Sequence, residues 1–273
     1  MERCKLCHKE KELQESYIIP KFVYKWMKQT GTGRFRQGLN INKPLQDGIK
    51  LFLLCRDCEQ EFSKREDWFK KHVFNRFINK SKTTFYPSDN LKYFAVSLLW
   101  RVLIYFKDDG NKYKFKEKLD EAEIEWRKYL YENEDLKKYD TIHLMCNPDD
   151  IEILNSPKNI YSYLLRDADI EIGEGDGKCF IYAKFARFIF IGVIEGFENS
   201  SFIETEISQS MNTNIQRLND YGLVGFIFNR AENTKNQTIS YPAISAAVVF
   251  GVYLSDQAAF RLDRKSPSIR LYV

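Results

Sequence analysis

The sequence predicts an α+β protein made of a small N-terminal module followed by a larger mixed helix and sheet domain. Three observations predict it. Four of the six cysteines stand in two Cys-x-x-Cys pairs within the first 58 residues, Cys4/Cys7 and Cys55/Cys58. Apolar residues keep helical spacing up to about Tyr139 and then gather into short β-branched and aromatic runs. Charge is divided as well: residues 1–86 hold 19 Lys and Arg against 10 Asp and Glu, whereas residues 87–273 hold 23 against 28. The chain therefore divides into a basic module over 1–86 and an acidic α+β domain over 87–273, helical to about residue 139 and strand-rich after it. A basic module points toward a polyanionic partner.

Composition narrows the class. With 44% hydrophobic and 29% charged residues, including 16 Tyr and 21 Phe, the chain has enough apolar material for a packed core and is neither disordered nor a fibrous repeat. Its most apolar stretches, Ala243–Leu254 and Phe180–Phe197, are respectively too short to span a membrane and interrupted by Lys184, Arg187 and Glu195. Met1-Glu-Arg-Cys-Lys lacks the apolar core of a signal peptide, so a cytoplasmic location and no membrane partner are expected.

In a reducing compartment, two Cys-x-x-Cys pairs read as a tetrahedral zinc site rather than as disulfides. The two-residue spacer lets both thiolates of a knuckle turn toward one ion. Four thiolates, Cys4, Cys7, Cys55 and Cys58, close the coordination sphere, so the implied Zn²⁺ is structural and holds no reactive water. Cys4-Lys-Leu-Cys7-His8 also matches the haem-attachment pattern, but that chemistry follows export and leaves the second pair unexplained. Cys146 and Cys179 stand alone in apolar surroundings and are expected in the core.

Between the pairs lie 47 residues. Leu13-Gln-Glu-Ser-Tyr-Ile-Ile-Pro20 reads as a short strand ended by Pro20, which also suits the first turn of a helix running to about Gln29. On that helix Lys21, Lys25 and Lys28 share one face, while Phe22, Val23, Trp26 and Met27 supply the buried side. A Gly-rich basic loop, Thr30–Gly38, adds Arg34 and Arg36. Ile49–Leu54 reads as a strand entering the second knuckle, and Cys58–Phe77 as a helix with Trp68, Phe69 and Val73 inward.

These motifs resemble the zinc-knuckle HNH endonucleases of the ββα-metal class: Cys-x-x-Cys, then Ser16-Tyr-Ile-Ile-Pro20, then Leu53-Leu-Cys-Arg-Asp-Cys-Glu59. Gln46-Asp-Gly48 and Ser97-Leu-Leu-Trp-Arg101 also resemble a bacterial branch met near phage-defence genes. The resemblance covers about residues 1–80. It implies a ββα-metal-like module, a second divalent metal where the nuclease is active, and DNA or RNA as partner. It also implies a general base at the position of Tyr17 and a metal ligand at Glu59. The family carries His where this chain has Tyr17, and a phenol with an ordinary pKa near 10 is only ~0.1% ionised at pH 7. Ser16 stands at a metal-binding position, Lys50 at the Asn position, and Glu59 where the family has a second His. His8, His72, Glu15 or a nucleophilic Tyr17 are the imaginable substitutes.

In the remainder, Leu91–Phe106 reads as a core helix. Lys112–Tyr139 reads as a charged helix with Phe115, Leu119, Ala122, Ile124, Trp126 and Leu130 as its apolar stripe. Thr141–Met145, Lys178–Ala186, Phe188–Ile194 and Leu223–Phe228 read as strands, Ile170–Gly177 as a turn, and Ser240–Leu262 as a closing helix. Residues 87–273 carry no nucleophile elbow, phosphate loop or His-rich motif, and a protein partner or self-association is expected there. Three functions follow in order of expectation: a zinc-stabilised nucleic-acid-binding protein with lost or weak nuclease activity, an active metal-dependent endonuclease with a substituted base, and a zinc-stapled protein-interaction module.

Overall fold

The computed structural model describes residues 2–31, 35–37, 40–45, 47–107, 113–148, 151–153, 156–233, 248–249 and 271–272. It opens with a hairpin of β1 (Glu2–Arg3) and β2 (Glu10–Lys11), whose loop carries Cys4 and Cys7. β3 (Leu13–Tyr17) follows, and Pro20 stands immediately before α1 (Lys21–Thr30), where its missing N–H costs no ladder bond. The amphipathic reading of α1 holds in part: Val23 and Met27 are buried and Lys21 and Lys25 exposed, but Phe22, Trp26 and Lys28 are half-buried and Tyr24 is buried with them.

The expected basic loop contains a hairpin instead, β4 (Phe35–Gln37) with β5 (Asn40–Leu45). Arg36 lies in β4, and Arg34 falls outside the described residues. β6 (Lys50–Cys55) pairs antiparallel with β3, setting Leu13 opposite Cys55 and Tyr17 opposite Lys50. It runs directly into α2 (Arg56–Phe69), whose first-turn Asp57 and Glu59 suit the positive end of the helix dipole. The helix continues through one π-helical turn, Lys70–Phe74, into α3 (Asn75–Ile78), so the helix expected over Cys58–Phe77 is present with a local widening. β7 (Thr84–Phe85) precedes α4 (Asp89–Lys107), which is buried almost all round because helices and a sheet enclose it.

α5 (Lys116–Glu132) is shorter than the charge pattern suggested. Asn133 turns left-handed at φ 58°, and Glu125 accepts the backbone N–H groups of Lys137, Lys138 and Tyr139, folding the chain back along the helix. Leu119, Ala122, Trp126 and Leu130 form its buried stripe. Ile124, expected within that stripe, falls off this face and is exposed.

The last part comprises β8 (Ile142–Cys146), β9 (Ile151–Glu152), α6 (Ile160–Arg166), β10 (Ala168–Gly175), β11 (Lys178–Phe185), β12 (Phe188–Glu195), β13 (Phe202–Ile203), β14 (Met211–Asn212), β15 (Arg217–Leu218), α7 (Tyr221–Glu232), β16 (Val248–Val249) and β17 (Leu271–Tyr272). A seven-stranded sheet, antiparallel throughout, runs in the order β5-β4-β17-β10-β11-β12-β8.

Three expectations are corrected. Ile170–Gly175 is strand, paired residue by residue with β11, and only Asp176-Gly177 turns, both with positive φ as a tight hairpin requires. The glycines there mislead, since Gly173 is needed for a different reason: a side chain would strike the Phe180 ring opposite. Leu223–Phe228 is helical, because Asp220 caps the Leu223 N–H and Leu223, Phe226, Ile227, Arg230 and Ala231 repeat at helical spacing. The closing helix over Ser240–Leu262 lies outside the described residues except Val248–Val249, which form a strand.

Both faces of the sheet are buried over β10, β11, β12 and β8. Cys179, Ile181, Phe185, Phe188 and Phe190 share a core with α2 and α4, and the alternate residues Phe180, Tyr182, Ile189 and Ile191 pack with α6 and α7. On this second face Arg230 bridges Asp169 and Glu171, while Tyr163 bonds Asp169 and Tyr182. The first core contains residues from both sides of residue 86. Phe69 of α2 stacks on Phe94 of α4 at 4.0 Å and meets Phe185, Phe188 and Phe190 of the sheet at 6.1, 5.6 and 5.7 Å. Among the described residues no helix is long and apolar enough to cross a membrane.

Phe69→Ala is expected to cost about 3–5 kcal/mol, as truncation of a fully buried aromatic does. Urea unfolding followed by circular dichroism and tryptophan fluorescence should still show one shared transition. A cost under about 1 kcal/mol, outside the range for such truncations, would contradict this packing.

Candidate metal centre

The four paired cysteines converge where three pieces of backbone meet. Cys4 and Cys7 come from the β1–β2 loop, which is tightened by Cys4 N–H to Lys9 O (3.0 Å) and His8 N–H to Cys4 O (2.9 Å), with His8 left-handed. The Lys5 N–H donates to Leu53 O at 3.0 Å, docking this loop on β6. Cys55 ends β6 and Cys58 sits in the first turn of α2. All four sulfurs lie within 4.8 Å of one another, and all four residues are buried.

The donor set fits a tetrahedral ion. A tetrahedron with metal–sulfur bonds of about 2.3 Å has edges of about 3.8 Å, the Cys7 Sγ to Cys55 Sγ separation being 3.8 Å. The Cys55 N–H donates to Cys4 Sγ at 3.3 Å, an arrangement that favours thiolate at Cys4. A hydrogen bond from Cys58 holds Cys4 down to about 4, and the same contact, with burial, keeps the proton on Cys58. Burial also raises Cys7. Four buried thiols at this spacing could hold a metal ion such as zinc, whose charge offsets thiolates that would otherwise repel one another. Cys146 and Cys179 are buried and separate from this cluster, as expected of core residues.

The positions next to the sulfur cluster are also brought together, in two groups. Ser16, fully buried, donates from Oγ to Glu59 Oε2 at 2.6 Å, joining β3 to the first turn of α2. Tyr17, the next strand residue, donates its hydroxyl to Asp47 Oδ2 at 2.5 Å, and Lys50 lies 3.1 Å from the same carboxylate. Lys50 also sits 4.9 Å from the Tyr17 ring centroid and 3.5 Å from Glu15. Burial and the Asp47 hydrogen bond raise the Tyr17 phenol above its ordinary range, so at neutral pH it keeps its proton and donates a hydrogen bond to Asp47. Burial opposes ionisation of Asp47, yet bonds from Tyr17, the Gly48 N–H and Lys50 outweigh it and hold that carboxyl low.

Two supporting residues were not assigned roles from sequence. Asp47 was visible only as part of Gln46-Asp-Gly48. Arg101, buried on α4, donates from Nη1 to the Tyr17 carbonyl (2.7 Å) and to Glu66 (2.8 Å), pinning β3 to the core. Its signal was a charge inside an otherwise apolar helix, which is costly unless paired. The substitutes His8 and His72 are engaged elsewhere. His8 is exposed in the first knuckle, and His72 stacks on Trp68 at 5.2 Å.

Comparison with family models, curated proteins and solved structures finds no match to this chain.

The shared phenylalanine core limits what loss of the ion can unfold. Cys55→Ser is expected to abolish stoichiometric metal binding and amide-exchange protection over residues 2–17 and 47–55. The part of α2 beyond Phe62 should remain protected by its packing. Structural zinc contributes ~10–16 kcal/mol of apparent binding energy in small finger peptides, so the loss should be plain at neutral pH. Native protection in β3 and β6 together with full metal content in Cys55→Ser would contradict the assignment.

Proposed function

We propose that this chain is a zinc-stabilised HNH-like protein that binds nucleic acid through its basic N-terminal module and has lost hydrolytic activity. The ion at Cys4, Cys7, Cys55 and Cys58 is zinc, the partner is DNA or RNA, and the setting is cytoplasmic. Antiviral defence follows from the family resemblance alone. What supports the HNH-like reading is the antiparallel β3–β6 pair running without a break into α2, with the cysteines at the junction.

The observation that carries nucleic-acid binding is the disposition of α1. Its apolar face packs on the core through the half-buried Phe22 and Trp26, which meet Phe74 at 5.2 and 5.4 Å, while Lys21 and Lys25 are left exposed. A module adapted to a protein partner in the acidic half would have its lysine face covered. Lys28, at the C-terminal end, is half-buried and suits the helix dipole as well as a phosphate. Arg166 reaches this end of the helix, over the Trp26 ring and to Thr30 Oγ1 at 2.9 Å.

The competing reading is a divalent-metal endonuclease. It draws on Glu59, held by Ser16 at the start of α2. Tyr17 weighs against it, since its proton is committed to Asp47 and the base position therefore carries a donor.

Fluorescence anisotropy with a labelled 20-base-pair duplex tests the binding. Affinity should fall steeply with salt, and Lys21→Gln with Lys25→Gln should reduce the slope of log K against log salt by about 2, near 0.9 for each lost phosphate contact. Salt-insensitive binding, or an unchanged slope in the double variant, would overturn the assignment of this face.

A further inference from the structure

A second cluster of basic and aromatic side chains lies away from both the sulfur centre and the lysine face. A cleft of about 210 Å³ opens between the π-helical turn Lys70–Phe74 and the segment leading into α4. Its walls carry the rings of Trp68, His72 and Tyr86 and the cations of Arg76 and Lys82, over an apolar floor that includes Phe85. Among the described residues no carboxylate lines it.

We propose that this cleft binds one unpaired nucleotide, with the base stacked on its aromatic wall and the phosphate held by Arg76 and Lys82. Four features carry this. First, Tyr86 presents its ring, being 63% exposed although its neighbour Phe85 is in the core, and across the cleft Trp68 and His72, both half-buried, stack on one another with rings 24° apart. Stacking on such faces accepts any base, which is how single strands are gripped without sequence readout.

Second, the charge complements a phosphate. Lys82 Nζ is 5.6 Å from the Phe85 ring centroid and 5.5 Å from that of Tyr86, so its ammonium stands beside the stacking surface. Arg76 is exposed on the same rim. Burial together with Lys71, Arg76 and Lys82 lowers the His72 pKa, so His72 contributes a neutral ring to that stack.

Third, the walls are fixed in place. β7 pairs with β14, and the Thr213 N–H and hydroxyl both donate to Thr83 O, at 2.8 and 2.9 Å. Ser88 caps the first turn of α4 through the Leu91 N–H. The opposite wall is a π-helical turn, an irregularity that recurs where helices carry sites.

Fourth, the volume suits the ligand. Drug-sized ligands occupy clefts of about 300–1,000 Å³, so this smaller one suits no more than a single nucleotide. A base stacked inside a duplex cannot enter it, so the nucleotide must be unpaired. That the nucleotide belongs to a strand rests on the nucleic-acid reading above; the site itself rests on the cleft.

The test uses the full chain with three probes: labelled oligothymidylate of 12 nucleotides, a labelled duplex of equal length, and free thymidine monophosphate as ligand and competitor. Tyr86→Ala should weaken oligothymidylate binding roughly tenfold, as loss of one stacked base does, and leave duplex binding within about twofold. Tyr86→Phe should retain binding, and Arg76→Gln should weaken it and lower its salt dependence. Thymidine monophosphate that binds with the same Tyr86 dependence, while neither oligonucleotide binds, would support the cleft with a free nucleotide as its source and overturn the nucleic-acid reading. Equal affinity of wild type, Tyr86→Ala and Arg76→Gln for both single-stranded and free-nucleotide probes would overturn the cleft. Duplex binding lost only in the Lys21/Lys25 variant would then leave the other reading standing.

Discussion

The structure of the N-terminal module depends on four sulfurs held within 4.8 Å of one another. Two come from a loop with almost no secondary structure of its own, and two from the exit of β6 and the entry of α2. Drawing them together fixes the register of β3 against β6, and that register in turn sets Ser16 beside Glu59 and Tyr17 opposite Lys50. A two-stranded pair such as β3–β6 is marginal by itself and depends on further constraints. A metal ion held by the four sulfurs would supply such a constraint, because its charge would offset the repulsion among the thiolates.

A second constraint decides what the module is attached to. α2 leaves the sulfur cluster and carries Phe62 and Phe69 into contact with α4, and Phe69 then reaches three phenylalanines of the sheet. The boundary at residue 86 is real in charge, and the core crosses it. Arg101 does the same in polar terms, since a side chain from α4 supports the backbone at Tyr17. The two halves thus share one core across residue 86. The second face of the sheet is closed by the ion pairs of Arg230 with Asp169 and Glu171.

Much of this was legible in the sequence where one local rule sufficed. The Cys-x-x-Cys spacing marked the four cysteines that cluster and could hold a metal, Pro20 gave the end of β3 and the start of α1, and the apolar run Leu91–Phe106 gave α4. Failures came where two signals overlapped. Gly173 and Gly175 look like turn residues, yet Gly173 makes room for Phe180 within a sheet. Leu223–Phe228 is a short apolar run whose period cannot separate strand from helix, and the decision lay in the Asp220 cap. The partners of Tyr17 were hidden because Asp47 lies 30 residues away and only the β3–β6 register brings it near. The cleft at Trp68 and Tyr86 joins segments of no shared motif, and spacing had no means of announcing it.

The central proposal is that the module grips nucleic acid without cutting it, since Tyr17, where the family resemblance implies a base, keeps its proton and donates a hydrogen bond to Asp47. A plasmid-nicking assay with Mg²⁺, Mn²⁺ or Ni²⁺, run on wild type beside Glu59→Ala, tests that claim most directly. The account predicts supercoiled plasmid intact with every ion in both proteins. Nicking by wild type that requires a divalent ion and disappears in Glu59→Ala would contradict it and make Glu59 a ligand of a working nuclease.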